Sequence, residues 1–266
     1  MDRKKLKAMV RTMYDYQDMR IRTAGRLRLK ADGTPQDEEN MSEAIYDERM
    51  YNVVETVKSD TQNIEKYLAK EIEKSVKDYP IWKSFLKNVK GCGPLMSAAI
   101  ISEFDIHKAD TVSKMWQFAG LNPGTVCGKK RVGENIIQTT DIIRGDKLTP
   151  GYVSPFNRWL RTKLVGVLAE CMIKAKSDYT KYYYNIHTPE KRRSEIGYGR
   201  LDLSEKINAN TGKKWKDESE GHRNNAAKRY MIKMFLLDLY VAWRTIEGLS
   251  VRKPYQEEYL GHVHAS

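Results

Sequence analysis

The chain has 266 residues, of which 40% are hydrophobic and 31% charged, a globular composition long enough for one large domain or two smaller ones with cores of their own. Lys and Arg number 47 against 35 acidic residues, a formal charge of +12, and such a surplus favours a polyanionic partner because each neutralised phosphate releases counterions. No apolar run approaches the roughly 18–20 residues that a spanning helix needs, and no signal-like apolar stretch follows the basic start, so the expectation is a cytoplasmic protein without a membrane partner.

Residues 1–28 read as a basic amphipathic helix, with Leu6, Met9, Val10 and Met13 at helical spacing among Lys4, Lys5, Lys7 and Arg11. The segment ADGTPQDEEN at residues 31–40 reads as a polar loop. A long helix is predicted over residues 42–77. Its apolar positions Met50, Val53, Val57, Ile64, Leu68, Ile72 and Val76 alternate steps of three and four, like a coiled-coil seam. That seam either packs within its own domain or joins copies of the chain into a homo-oligomer. Tyr79-Pro80 ends the helix, because the residue before proline avoids the α region.

Residues 82–120 read as compact and helical. Residues 121–149 are rich in glycine and lysine, with a short strand expected at 134–138. Helices are predicted over 155–176 and 222–247, the latter ended by Gly248. The mixed stretch between them carries KYYYN at 181–185, KRR at 191–193 and GKKWK at 212–216. Tyrosines beside lysines can stack on bases, but a tyrosine run more often packs. The expected organisation is a helix and coiled-coil-like segment at 1–80, a helical DNA-binding domain at 81–250 and a tail at 251–266. Cys92, Cys127 and Cys171 form no CxxC and no zinc spacing with histidine. No disulfide framework, metal site or cofactor is expected.

The segment FLKNVKGCGPLMSAAIISEF at 85–104 carries the main functional reading. Apolar residues precede a Gly91-Cys92-Gly93 turn, Pro94 stands where a helix would begin, and Ala98 and Ala99 allow close helix packing. Glycines let a phosphate approach the N–H groups at the start of the second helix, and Lys87 and Lys90 add charge beside it. This is the pattern of a helix-hairpin-helix motif, which positions a protein on the DNA backbone without reading sequence. A purely structural corner is the alternative. Further on, Asn157, Arg158 and Arg161 fall on one short helical stretch suited to clamping phosphate, and Lys228, Arg229 and Lys233 place charge on the last helix.

VKGCGPLMSAAIISEF, KMWQFAGLNPG at 114–124, NRWLR at 157–161 and HRNNAAKRYMIKMFLLDLYVAW at 222–243 occur in that order. Together, from about Trp82 to Gly248, they resemble the C-terminal domain of the insertion-sequence one-ten / one-sixteen / nine-oh-two transposase family. The resemblance implies a mainly α fold with a helix-hairpin-helix, a coiled coil before it, and DNA recombination or transposition as the activity. Some members of that family use a guide RNA, which makes RNA a second candidate partner.

Two departures from the family pattern are visible. Residues 1–80 contain no strands bearing the early aspartate of an RNase-H-like half, the family's metal-binding part. Cys127 stands near the position where the family places a nucleophilic serine after GLxP, with Lys129, Lys130 and Arg131 following it. Cys127 is therefore either a nucleophile activated by nearby charge or a small packing residue in a chain that has lost strand exchange. Thr125 is a weaker candidate nucleophile. The alternatives to a recombinase are a non-catalytic regulatory or architectural DNA binder, and an assembly subunit that needs an RNase-H-like partner. The DNA-binding set expected from sequence is Lys87, Lys90, Gly91, Gly93, Lys129, Lys130, Arg131, Asn157, Arg158, Arg161 and Lys228.

Overall fold

The computed structural model describes residues 2–27, 48–122, 124–187, 207, 211–214 and 217–252. The predicted loop at 31–40, the KRR run at 191–193 and nearly all of the tail lie outside the described residues. The fold is mainly helical with one two-stranded sheet, and the chain divides into two compact units at Tyr79/Pro80. Among the described residues no helix is long and apolar enough to cross a membrane.

The first unit is a helix pair, α1 (Arg3–Leu27) and α2 (Glu48–Val76). Leu6, Val10, Met13 and Leu27 of α1 are fully or almost fully buried, as are Ile72 and Val76 of α2, so one stripe on each helix makes the seam. Glu65 ties the pair further: Arg20 Nε donates to it at 2.6 Å and Gln17 Nε2 at 2.8 Å. Burial raises the Glu65 carboxyl, but the bonds from Arg20 and Gln17 outweigh it and leave the group below its ordinary pKa. Only part of the predicted α2 seam is used. Met50, Val53, Val57 and Ile64 are 37–52% exposed.

The second unit is built around α4 (Pro94–Glu103). Every residue from Met96 to Glu103 in it is buried, so it is a core helix without an amphipathic face. Before it come α3 (Pro80–Ser84) and a 3₁₀ turn at Leu86–Asn88. After it comes α5 (Val112–Phe118), started by the Thr111 hydroxyl, which accepts from Lys114 N at 3.4 Å. Gly120, at φ 70°, ends α5, and Leu121 N reaches back to the Trp116 carbonyl at 2.8 Å in a Schellman arrangement.

β1 (Thr125–Val132) and β2 (Asn135–Arg144) then form an antiparallel hairpin closed by Gly133-Glu134. This replaces the single short strand expected at 134–138. Most side chains of both strands are exposed, so the sequence lacks the apolar alternation that announces a half-buried sheet. The register shifts between Cys127, opposite Ile142, and Lys129, opposite Gln138, which marks a bulge on β2.

The predicted helix at 155–176 is three segments without a break: α6 (Arg158–Arg161), a π-helical stretch at Thr162–Leu168 and α7 (Ala169–Lys174). Lys176, at φ 50°, turns the chain out of it. α8 (Thr180–His187) leads toward α9 (Glu220–Ile246), whose Met231, Phe235, Leu239 and Tyr240 are core. The Ser219 hydroxyl caps α9, and Gly248 at φ 66° ends it. Arg244 is buried yet serves structure: its guanidinium donates to the carbonyls of Ile106 (3.1 Å), Ala109 (2.9 Å) and Ser250 (2.6 Å).

Candidate nucleic-acid interface

The turn before α4 gives its two glycines different duties. Gly91 has φ 86°, and a Cβ there would lie 2.7 Å from the main-chain atoms of Cys171 and Met172 in α7. Its missing side chain lets the turn lie directly on the α7 backbone. Gly93 has φ −70° and ψ 175°, which any residue adopts, and a Cβ there would meet nothing within 4 Å. Gly91 is thus a packing residue, and Gly93 alone keeps an open approach to the start of α4. No side chain caps that start, and Pro94 at its first position lacks an N–H. Gly93, Lys87 and Lys90 are exposed. Between them, Cys92 is 3% exposed and its thiol lies 3.4 Å from the Ser97 hydroxyl. Burial pushes that thiol up to about 12, against the Ser97 bond.

A cleft of about 310 Å³ lies beside the turn, lined by Phe85, Asn88 and Lys90 on one side and by Tyr179, Lys181 and Tyr182 on the other. Tyr179 donates its hydroxyl to Asp238 at 2.7 Å, and burial raises both groups above their ordinary pKa values. The tyrosine run beyond it packs. Tyr182 meets Tyr230 edge-on at 5.8 Å, and Tyr183, 6% exposed, donates to Asn224 at 2.8 Å.

On the hairpin, Cys127, Lys129 and Arg131 are exposed. Lys130 is held by Asp141 at 3.1 Å and lies 4.6 Å over the Tyr152 ring, while the Tyr152 hydroxyl donates to the same carboxylate at 2.6 Å. Contact with Tyr152, then with Asp141, raises the Lys130 ammonium, and the same trio lowers Asp141. Gly128 makes room for this, since a Cβ there would lie 2.6 Å from the Tyr152 ring. No hydrogen bond to the Cys127 thiol occurs among the described residues.

Asn157 is fully employed within the fold. Its Oδ1 accepts from Leu160 N at 3.0 Å, capping α6, and its Nδ2 donates to the buried Glu103 at 2.7 Å. Arg158 is exposed, whereas Arg161 turns inward, 4.8 Å over Phe156, and donates to the Asp146 main-chain carbonyl. Lys228 pairs with Glu170 and is only 13% exposed. The sequence-predicted residues therefore fall into an exposed group (Lys87, Lys90, Gly93, Lys129, Arg131, Arg158) and a group engaged by other parts of the chain (Gly91, Lys130, Asn157, Arg161, Lys228).

Sequence reasoning missed Arg144. Its Nε donates to Asp146 at 2.9 Å and its Nη2 at 3.1 Å, near Arg161. It also passed over Arg229 in choosing Lys228, although Arg229 shares a helical stripe with the core residues Ile232, Leu236 and Tyr240. A charge inside an apolar stripe was the available signal. Lys233, one turn on, lies 4.4 Å over the Trp116 ring, and burial pushes it down to about 8. No group of three or more His, Cys, Asp or Glu that could hold a metal occurs among the described residues. Compared with protein-family models, curated proteins and solved structures, the chain finds no match.

Proposed function

We propose that the second unit binds DNA by its phosphate backbone, as a protein of recombination or transposition resembling the C-terminal part of the insertion-sequence transposases. The observation that carries this reading is the uncapped start of α4, with Gly93 open to approach and Lys87 and Lys90 exposed beside it. A helix N-terminus with free N–H groups and flanking cations attracts phosphate. Lys129, Arg131 and Arg158 extend the exposed positive charge. In this reading the segment around Gly91–Gly93 is a helix-hairpin-helix, and the coiled-coil-like α2 joins copies of the chain through its exposed Met50, Val53, Val57 and Ile64.

The test is fluorescence anisotropy with labelled duplex and branched DNA over a salt series. Binding should weaken steeply as salt rises. Gly93→Val should lower affinity about tenfold in a folded protein, since its backbone suits any residue and its side chain would crowd a docked phosphate. Unchanged affinity in that variant rejects docking at the turn.

A second reading is a DNA binder without strand exchange. Among the described residues nothing hydrogen-bonds the Cys127 thiol, and Lys130 is engaged by Asp141 and Tyr152. Denaturing electrophoresis after incubation with DNA separates the two. A covalent adduct lost in Cys127→Ala supports the recombinase, and salt-sensitive binding without an adduct supports the binder.

A further inference from the structure

Two arginines from different elements bond Asp146, and a third, Arg229, lies close enough to feel their charge. Arg144 is the last residue of β2, Arg161 the last of α6, and Arg229 lies in α9. Arg144 holds the Asp146 carboxylate through two donors, at 2.9 and 3.1 Å. Arg161 takes the Asp146 main-chain carbonyl and lies against Phe156. Arg229 is half-buried and makes no hydrogen bond or ion pair among the described residues. Burial is the first influence lowering its pKa, Arg161 and Arg144 add to it, and Asp146 opposes them. Three guanidinium groups and the Asp146 carboxylate are thus gathered here.

The cluster is built into the fold. A Cβ at Gly120 would lie 2.6 Å from the Phe156 ring and 3.1 Å from Arg161 Cδ. One at Gly145, between Arg144 and Asp146, would lie 2.7 Å from the Gln117 side chain. Gln117 in turn donates to the Gly145 carbonyl at 3.1 Å. Like charges drawn together, half out of water, with one guanidinium lacking an acceptor among the described residues, favour a bound anion. The planar fork of a guanidinium fits two oxygens of a phosphate group, which a lysine does not match.

We propose that Arg144, Arg161 and Arg229 form a phosphate-binding site, with Arg229 supplying the free fork. Under the DNA-binding reading, its occupant is a phosphodiester of the DNA backbone, held at a point separate from the turn before α4. The source of the phosphate rests on that reading, but the site does not.

The experiment has two arms on the full chain. In the first, thermal unfolding is followed in inorganic phosphate and in chloride at matched ionic strength. The wild type should melt several degrees higher in phosphate, and Arg229→Gln should lose that difference while melting normally in chloride. In the second arm, duplex DNA binding is measured over a salt series. Arg229→Gln should lower affinity about tenfold and reduce the salt slope by about 1. Lys108→Gln, an exposed lysine, serves as the charge-matched control. Should Arg229→Gln fail to fold, Arg229→Lys keeps the charge without the fork and should still lose most of the phosphate effect. Phosphate stabilisation that depends on Arg229 without DNA binding would keep the site, discard the DNA reading and point to a free phosphate. Equal melting of wild type in phosphate and chloride, with DNA affinity unchanged in folded Arg229→Gln, would overturn the proposal.

Discussion

At the turn before α4 the positive charge belongs to Lys87 and Lys90, which stand in water, whereas around Asp146 it belongs to arginines partly withdrawn from it. Exposed lysines keep their hydration and rotamer freedom, so they attract a polyanion diffusely and lose their pull as salt rises. The arginines are positioned by neighbours: Phe156 under Arg161, Asp146 across from Arg144. Their desolvation is already spent in folding, and an anion arriving there meets fixed donors. On the DNA-binding reading, attraction and placement would thus be divided between two regions of one unit.

The largest expected effect breaks the turn itself. Gly91→Val sets a side chain against the α7 backbone at a φ that valine avoids, and should destabilise the second unit by about 3 kcal/mol or more, read by chemical unfolding. Gly93→Val, two residues away, should leave the unfolding free energy within about 0.5 kcal/mol of wild type. Equal losses from both would mean the two glycines share one role after all.

A smaller effect separates charge from burial on α9. Lys233 has a pKa of about 8 in the folded protein and 10.5 as its ordinary value. Between those values the unfolded chain binds the extra proton, so stability should rise with pH from about 8 to 10.5, while the burial penalty is fully present below pH 8. Lys233→Met should remove that rise and raise stability at pH 7 by about 1–3 kcal/mol, measured by thermal unfolding across pH. A wild-type melting curve that is flat over the window and matches the variant would show that the Trp116 face fully offsets the burial.

Smallest is a chemical difference without a stability change. Cys127 and Cys171 are exposed and Cys92 is buried, its thiol pushed up to about 12. A thiol reagent at pH 8 should label the first two in the native protein and Cys92 only after denaturation, as mass spectrometry would record. Native labelling of Cys92 would mean that the turn opens readily.

The long helices were legible because their apolar residues recur at helical spacing, as in Leu6, Val10 and Met13 of α1 and Met231, Phe235 and Leu239 of α9. The hairpin was only half legible. Val132, Ile136, Ile137 and Ile142 are all 47–64% exposed, so its strands carry no inside and outside pattern to read. The glycines were recognised as a turn, but their division of labour depends on α7, some eighty residues later in the chain. Asn157 and Lys228 looked like ligand contacts because their partners, Glu103 and Glu170, are distant in sequence. The arginine cluster was hidden for the same reason: nothing local joins Arg144, Arg161 and Arg229.

The π-helical stretch at Thr162–Leu168 has a consequence for how the chain tolerates a change of length. A π turn holds one more residue than the α turn it interrupts, so a helix can take up an extra residue there without breaking. Deleting one residue near the exposed Gly166 would let the helix close to plain α geometry, with α6 and α7 keeping their facing directions. That stretch is thus a place where a length change of one would leave both Arg161 and the α7 backbone beneath Gly91 where they are.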